Sequence, residues 1–313
     1  MNTYKRLLVA GSIAYDEIMD FPDEFQQYFH PERLHQINVS FVVNRLQKQF
    51  GGIATNVAYT YSLLNSTTPV AILGAVGKDG HEFLEFYKKN NIDTQFIVED
   101  KDLYTSTGKV ITDKKNNQIW GFYYGASASA SRISFGKFSA EDILLLAATH
   151  TEAFLHCQKE AIKRKIPYMY DPGMALTWIH KDDLKEGILH STYLIGNDYE
   201  IAQMSKFLSL TVQELCERGI IVITTLGADG VRYQTKSKTV TVTGYKGAKV
   251  VDPTGAGDAF RGGFLGALLQ GKSVEDCLKY GNIMASFAVE HYGTVNHHPR
   301  KEEIEQRFLE IID

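Results

Sequence analysis

Two hydrophobic patterns alternate along this chain. Short continuous apolar runs, bounded by glycine, proline, asparagine or aspartate, suit strands buried on both faces. Longer stretches with apolar residues three and four apart suit helices. Arg6 to Ala14 is the first apolar run and predicts a buried strand. Asn38 to Val43 alternates loosely and suits another. Val57 to Leu64 predicts a helix, Val70 to Val76 a second buried strand, and the stretch through Asn90 a helix, with a further strand after Asn91-Ile92-Asp93-Thr94. Ala140 to Ala148 and Thr151 to Arg164 read as helices. Pro167 to Tyr170, Tyr193 to Gly196 and Ile220 to Thr225 read as strands, and Val231 to Tyr233 as an antiparallel return at the sheet edge. Extended runs at Thr239 to Thr243 and Lys249 to Val251 precede a helix with Phe260, Phe264 and Leu268 on one stripe. Val274 to Glu290 is the next helix. Strands alternating with helices predict a mostly parallel sheet.

One region breaks the alternation. Thr107 to Thr112 and Gln118 to Tyr124 flank Asp113-Lys114-Lys115-Asn116-Asn117, a turn signal that predicts a hairpin. Period-two spacing puts Trp120, Phe122 and Tyr124 on one face of its second strand, either as core packing or as an aromatic wall over a flat ligand.

Composition narrows the class. The 313 residues leave room for one large α/β domain or two ordinary ones. A formal net charge of -4 argues against a general nucleic-acid binder. The three cysteines lack C-x-x-C spacing, which points away from zinc and disulfides and toward a reduced, cytoplasmic protein. The run from Leu7 to Ala14 is too short for a signal peptide and meets Asp16 at once, and no run reaches membrane-span length.

Candidate chemistry concentrates at Val250-Val251-Asp252-Pro253-Thr254-Gly255-Ala256-Gly257-Asp258-Ala259-Phe260. Small residues at a helix start let a ligand approach the backbone, and the unpaired first N–H groups suit an anion such as phosphate. From the spacing alone, Asp258 is either a helix cap or a base that takes a proton from an attacking hydroxyl. Gly51-Gly52-Ile53-Ala54-Thr55-Asn56 is a second glycine turn before a helix, and Asn56 offers both a donor and an acceptor. Asp16 follows the C-terminal end of the first strand, where open α/β sheets bind ligands, or it is a solvent-facing loop carboxylate. Asn197-Asp198-Tyr199-Glu200 reads locally as a helix cap. The ten histidines show no metal spacing, and His297 and His298 are expected to be exposed. Gly266-Ala267-Leu268-Leu269-Gln270-Gly271-Lys272-Ser273 matches the P-loop pattern formally. It lies on the tail of a helix, however, with Gly271 as its C′ residue and Ser273 as the next N-cap.

The segment Asp252 to Phe260 resembles the signature of the ribokinase-like (PfkB) family of sugar and nucleoside kinases, and the resemblance runs from residue 7 to about 297. It implies a three-layer α/β/α fold, one domain over 1–313, with a small β-lid from segments 17–49 and 105–125. It also implies ATP with Mg²⁺ as cofactor, Asp258 as catalytic base and the Gly255-Ala256-Gly257 amides as an anion hole. Asp16, Asn56, Gly52, Ser12, Ser40 and Phe122 would then hold the acceptor. Asn197, Thr225, Gly227, Gly230 and Asn282 would line the nucleotide. Glu200 would serve Mg²⁺ through water, and Asp252 a monovalent cation such as K⁺. Within the family, Phe21-Pro22, Pro31-Glu32, Leu34-His35, Val39-Ser40-Phe41 and Arg261 are similar to bacterial adenosine kinases, and Ile53 stands where ribokinases carry Lys. Met174, Ala175 and Trp178 depart from the adenosine-kinase pattern, as does Gly108. The expected reaction is therefore phosphoryl transfer from ATP to a nucleoside 5′-hydroxyl, adenosine first. A kinase of ribose or fructose and an idle binding protein on the same fold are the alternatives. No nucleic-acid or membrane partner is expected, and the lid strands would pair two copies into a homodimer.

Overall fold

The computed structural model describes residues 4–29, 38–64, 67–115 and 117–311. The chain begins with β1 (Arg6–Ala10), β2 (Ala14–Asp20), β3 (Arg45–Gly51), α1 (Ile53–Leu64), β4 (Val70–Leu73), β5 (Ala75–Val76), α2 (His81–Lys89), β6 (Ile92–Asp93) and β7 (Val98–Glu99). The hairpin strands β8 (Ser106–Thr112) and β9 (Gln118–Tyr123) follow, then β10 (Asp142–Ala147), α3 (Thr151–Arg164), β11 (Tyr168–Asp171), α4 (Lys181–Leu189) and β12 (Tyr193–Asn197). Next come α5 (Asp198–Leu208), α6 (Val212–Glu217), β13 (Ile221–Thr225), β14 (Val231–Gln234), β15 (Thr239–Val242), α7 (Ala256–Leu269), α8 (Val274–Ala288) and α9 (Lys301–Glu310).

Among the described residues, nine strands form the main sheet in the order β15-β14-β13-β12-β11-β10-β1-β4-β6. It is parallel from β13 to β6 and antiparallel only where β14 and β15 return. Its inner strands β4, β10 and β11 are buried along their length and mostly apolar, as strands covered on both faces are, whereas β14, next to the edge, alternates buried and more exposed positions. In β1, Leu7 and Val9 face a core shared with α1, α2, α7 and α8, while Leu8 and Ala10 face one shared with α3, α4, α5 and α6. The expected three-layer ribokinase-like α/β architecture is what the chain adopts. Among the described residues, no helix is long and apolar enough to cross a membrane.

Several local expectations fail. The segment expected to be a helix from Ala140 to Ala148 is instead β10, fully buried between β1 and β11. A short apolar run such as Ile143-Leu144-Leu145-Leu146 satisfies either template, and pairing with β1 decides between them. Asn38 to Val43 is not a strand. Its Phe41 instead joins an aromatic cluster with Phe21, Phe25, Tyr28 and Phe29. Lys249 to Val251 is irregular, and the Val251 and Asp252 amides bond the Val289 carbonyl at the end of α8. His297 is buried, although His298 is exposed as expected. The His297 ring bonds Thr60 Oγ1 at 3.1 Å, and its carbonyl accepts the Tyr59 hydroxyl at 2.8 Å. Burial, with His291 and His298 adding, holds its pKa down to about 4. Pro31-Glu32, Leu34-His35 and the turn residue Asn116 lie outside the described residues.

A second, four-stranded sheet, β3-β2-β8-β9, rises from the carboxyl end of β1. The predicted hairpin forms as β8–β9, with Val110 opposite Trp120 and Gly108 opposite Phe122. This sheet and the first turn of α7 enclose the site.

Candidate active site

Two strand ends and two helix starts meet here. Gly255 caps α7 at φ 77°, a conformation that costs glycine little, and a Cβ there would meet the Thr294 side chain at 2.9 Å. Asp252 secures the preceding turn: its Oδ1 accepts the Thr254 amide at 2.9 Å and its Oδ2 the Gly293 amide at 3.0 Å. The Ala256 amide donates to the Pro253 carbonyl at 3.3 Å, so of the three predicted anion-hole amides this one is already engaged. Helix geometry leaves the next amides, of Gly257 and Asp258, without an intrahelical acceptor.

Asp258 lies in this first turn, but its carboxylate turns toward α1 rather than capping α7. Oδ2 accepts the Asn56 side-chain amide at 2.8 Å. Burial pushes Asp258 up to about 6, against the pull of Arg261 and the Asn56 hydrogen bond, and the carboxylates of Asp171 and Asp16 add to the rise. Asn56 Oδ1 is buried and has no partner among the described residues. An unpaired buried acceptor is costly, so a ligand hydroxyl donating to it would gain.

Asp16 stands on β2 between two glycines. A Cβ on Gly51 would meet its Oδ2 at 2.1 Å, and one on Gly108 would meet its Oδ1 at 3.2 Å. Burial raises this carboxyl to about 6 as well. The same Gly108 position lies 3.5 Å from the Phe122 ring, so Phe122 is beside Asp16. From there an aromatic path continues through Tyr124, whose ring centroid is 5.0 Å from Phe122, 5.4 Å from His150 and 6.4 Å from Trp178. Ser12 accepts the Ile53 amide at 3.1 Å and so fixes the start of α1, while Gly52 at φ 86° leaves no room for a side chain against the Ser12 carbonyl. The structure thus brings Asp16, Asn56, Asp258, Phe122, Ser12 and Gly52 together. Ser40 is exposed on the irregular stretch before β3, and no hydrogen bond among the described residues ties it to them.

The residues expected around a nucleotide occupy the ends of β12 and β13, where Asn197 pairs in register with Thr225. Asn197 and Glu200 form a reciprocal capping box on α5, with bonds of 2.8 Å each way. Thr225 Oγ1 donates to the Gly196 carbonyl at 3.4 Å. Gly227 sits at φ 58° with open space around it, whereas Gly230 packs tightly against the Val242 carbonyl. Asn282 is buried and donates to the carbonyls of Val242 and Thr243, at 3.3 and 2.9 Å. Among the described residues no cluster of three or more His, Cys, Asp or Glu could hold a metal ion.

One pair carried no role in the sequence reading. Arg261, one turn beyond Asp258, forks onto Asp171 at the end of β11, Nη2 reaching Oδ1 at 2.7 Å and Nε bonding Oδ2. Its Nη1 donates to the Gly257 carbonyl at 2.9 Å. The available signals were an Arg four residues after Gly257 and an Asp at a parallel-strand end. Tyr124, His150 and Trp178 were likewise unassigned as a group.

A ribokinase-like α/β fold with a carboxylate at an open helix start defines the class. A family model described as pfkB family carbohydrate kinase matches residues 13–301. The chain belongs to that family. It is 32% identical over 283 residues to a nucleoside kinase of Methanocaldococcus jannaschii, covering 89% of this chain and 92% of that protein. A ribokinase of Bacillus subtilis is 27% identical, over 82% of this chain and 86% of its own. The solved structure of Burkholderia thailandensis nucleoside kinase in complex with inosine superposes with a TM-score of 0.85 at 27% identity, covering 97% of each chain.

Proposed function

We propose that this protein transfers a phosphoryl group from ATP to the 5′-hydroxyl of a purine nucleoside, with adenosine as the first candidate. The observation that carries the reading is the cluster of Asp16, Asn56 and Asp258, with the buried Asn56 Oδ1 unpartnered. Vicinal ribose hydroxyls need paired acceptors and donors, which Asp16 and Asn56 supply. Asp258, with a pKa near 6, is ionised at neutral pH yet basic enough to take a proton from the attacking hydroxyl. The free amides at the start of α7 face charge that develops on the transferred group. Phe122 beside Asp16 offers a flat apolar contact for a base, as Tyr124 and Trp178 do further along. The similarity to nucleoside kinases, one of them in complex with inosine, supports a nucleoside. It leaves inosine and guanosine beside adenosine on the test panel.

Magnesium on the nucleotide phosphates would neutralise charge there, and it usually keeps several waters and few carboxylates. Glu200 in the first turn of α5 fits that modest demand, through water. Asp252, whose two oxygens each keep a lone pair after accepting an amide, would hold a monovalent cation. The four-stranded sheet would act as a lid that excludes water during transfer. A second copy of the chain would cover the fully exposed edge strand β9. Light scattering tests that pairing, and a monomer at micromolar concentration would end it.

The free-sugar reading draws on the ribokinase similarity, since Asp16 and Asn56 would serve any polyol. The deciding experiment compares kcat/KM for adenosine, inosine, guanosine, cytidine, ribose and fructose. Preference for a nucleoside is expected, and preference for a free sugar would overturn the nucleoside reading.

A further inference from the structure

We propose that Asp171 and Arg261 form a positioning pair, which clamps the first turn of α7 to the main sheet and so aims the Asp258 carboxylate. The inference rests on Asp258 being the proton acceptor. It does not depend on which acceptor is phosphorylated.

The first turn of α7 is a poor structure by itself. Gly255 and Gly257 bracket it, and glycine loses more backbone freedom on ordering than any other residue. A helix start so composed needs an external support to hold a carboxylate within reach of a hydroxyl. Arg261 supplies it with three hydrogen bonds from one rigid plane, two to Asp171 and one to the Gly257 carbonyl, next to Asp258 itself. Asp171 ends β11, which is hydrogen-bonded to β10 and β12, so the clamp is anchored in the middle of the sheet. Both side chains are nearly inaccessible, at 6% exposure for Arg261 and 4% for Asp171. Neither is offered to substrate, which is why their role is positioning.

Stability is a weak explanation for such a pair. Burying two charges is expensive, and an apolar pair of similar volume often serves a fold as well or better. Burial alone would lower the proton affinity of Arg261, and the carboxylates around it, Asp171 foremost with Asp258 and Glu200 adding, more than offset that. A cation kept charged at that cost, one turn from the half-buried Asp258 carboxylate, acts on that carboxylate. The groups that bear on Asp258 are Asn56 from α1, Arg261 on α7 itself, Asp171 from β11 and Asp16 from β2, while Glu200 on α5 acts on Arg261. Arg261 is the cation among them. It favours the ionised base, whereas Asp171 and Asp16 oppose it. Lysine could keep the charge but not the planar fork.

The test is the pH profile of kcat for purified variants of the full chain, each checked for folding by circular dichroism. Arg261→Gln removes the cation, so the acid limb should move up by roughly one pH unit and the plateau fall about tenfold or more. Asp171→Asn removes a carboxylate, so its limb should move down while the plateau also falls. Arg261→Lys should leave the limb near its original position but lower the plateau, with the acceptor KM changed less than threefold or so. A merely structural pair would not move the two limbs in opposite directions. The double variant Asp171→Leu/Arg261→Met offers an apolar replacement that can fold without the charges, and low kcat in that folded protein is expected. Full activity there would overturn the proposal, as would unshifted limbs in the single variants or failure of every variant to fold. Asp258→Asn is the control: high activity in that variant sinks the base assignment, whatever the pair does.

Discussion

The proposed acceptor and donor halves of the site treat their polar groups in opposite ways. Around the acceptor position, Asp16 and Asp258 are held near pKa 6 by burial, and Asn56 Oδ1 is buried with no partner. On the donor side, Asn197 and Glu200 satisfy each other as a capping box, Thr225 donates to Gly196, and Asn282 is spent on two strand carbonyls. The acceptor half is prepared at a cost to the folded protein, as residues that perform chemistry often are. The donor half is structurally complete without its ligand. Its contribution to binding would then come from backbone amides and open turns such as Gly227, not from waiting side chains. Substitutions should therefore hit catalysis hard on one side and stability on the other.

The largest break should come from Asp258→Asn. The change keeps the shape and the Asn56 contact but removes the base, so kcat should fall by on the order of 10²–10⁴. Acceptor binding should survive. A steady-state assay returning near-normal kcat would take Asp258 out of the mechanism. Asn56→Ala comes next. It removes a hydrogen bond to a charged group and an acceptor for a substrate hydroxyl, together worth about 1.5–3 kcal/mol of transition-state stabilisation. That predicts a loss in kcat/KM of roughly tenfold to a hundredfold. An unchanged value would show that the unpartnered amide oxygen meets no substrate.

The pH dependence sharpens the same contrast. As the proposed base, Asp258 would have to be ionised, so kcat should fall as pH drops through about 6 and level off above 7. For stability the sign is reversed. The folded pKa lies above the ordinary carboxylate value of 3.8, so the native state binds the proton more tightly than the unfolded chain. That contribution is fully present below about 4 and is lost as pH rises through 6. At pH 7.5 Asp258→Asn and Asp16→Asn should each raise Tm by a few degrees. Lower Tm in both would mean that these carboxylates are not held at a cost. On the donor side the pattern should invert: Asn197→Ala should cost about 0.5–2 kcal/mol of stability through the lost cap, with KM for ATP rising only a few-fold. A loss in kcat comparable to that of Asp258→Asn would erase the distinction between the halves.

How much of this was readable in advance depended on range along the chain. The strand–helix alternation and the Asp252 to Phe260 signature are local, and both led to the right fold and family. Ala140 to Ala148 misled because Ile143-Leu144-Leu145-Leu146 has no period to read, and its strand identity comes from β1, more than 130 residues away. The Asp171–Arg261 fork spans 90 residues, and although Arg261 directly follows the signature, nothing in either segment pairs it with Asp171. His297 looked like a surface residue because its burial depends on Tyr59 and Thr60 of α1. The capping box at Asn197 and Glu200 shows the converse. Its local pattern was legible as a cap, and the geometry realises that cap whatever else those residues do.

The smallest effect is expected where a motif search would look first. Gly266 to Ser273 has the spacing of a P-loop, and Lys272 occupies the position of its phosphate-binding lysine. A P-loop lies between a strand and the start of a helix, where free amides converge. Here the glycines close a helix instead. The Lys272 amide donates to Ala267 at 3.2 Å and the Gly271 amide to Leu268 at 3.0 Å, the paired bonds of a Schellman ending, with Gly271 at φ 73°. Carbonyls, not amides, crowd such an end, and its partial charge repels an anion. Ser273 then caps α8 by accepting the Asp276 amide at 3.1 Å. Lys272 is exposed, and fourteen residues of rise put it about 20 Å along the chain from Asp258. Lys272→Ala should therefore leave kcat and KM for ATP within about twofold of the parent. A rise in that KM of tenfold or more would move the donor phosphates to the far end of α7, and the contrast between the two halves of the site would fall with it.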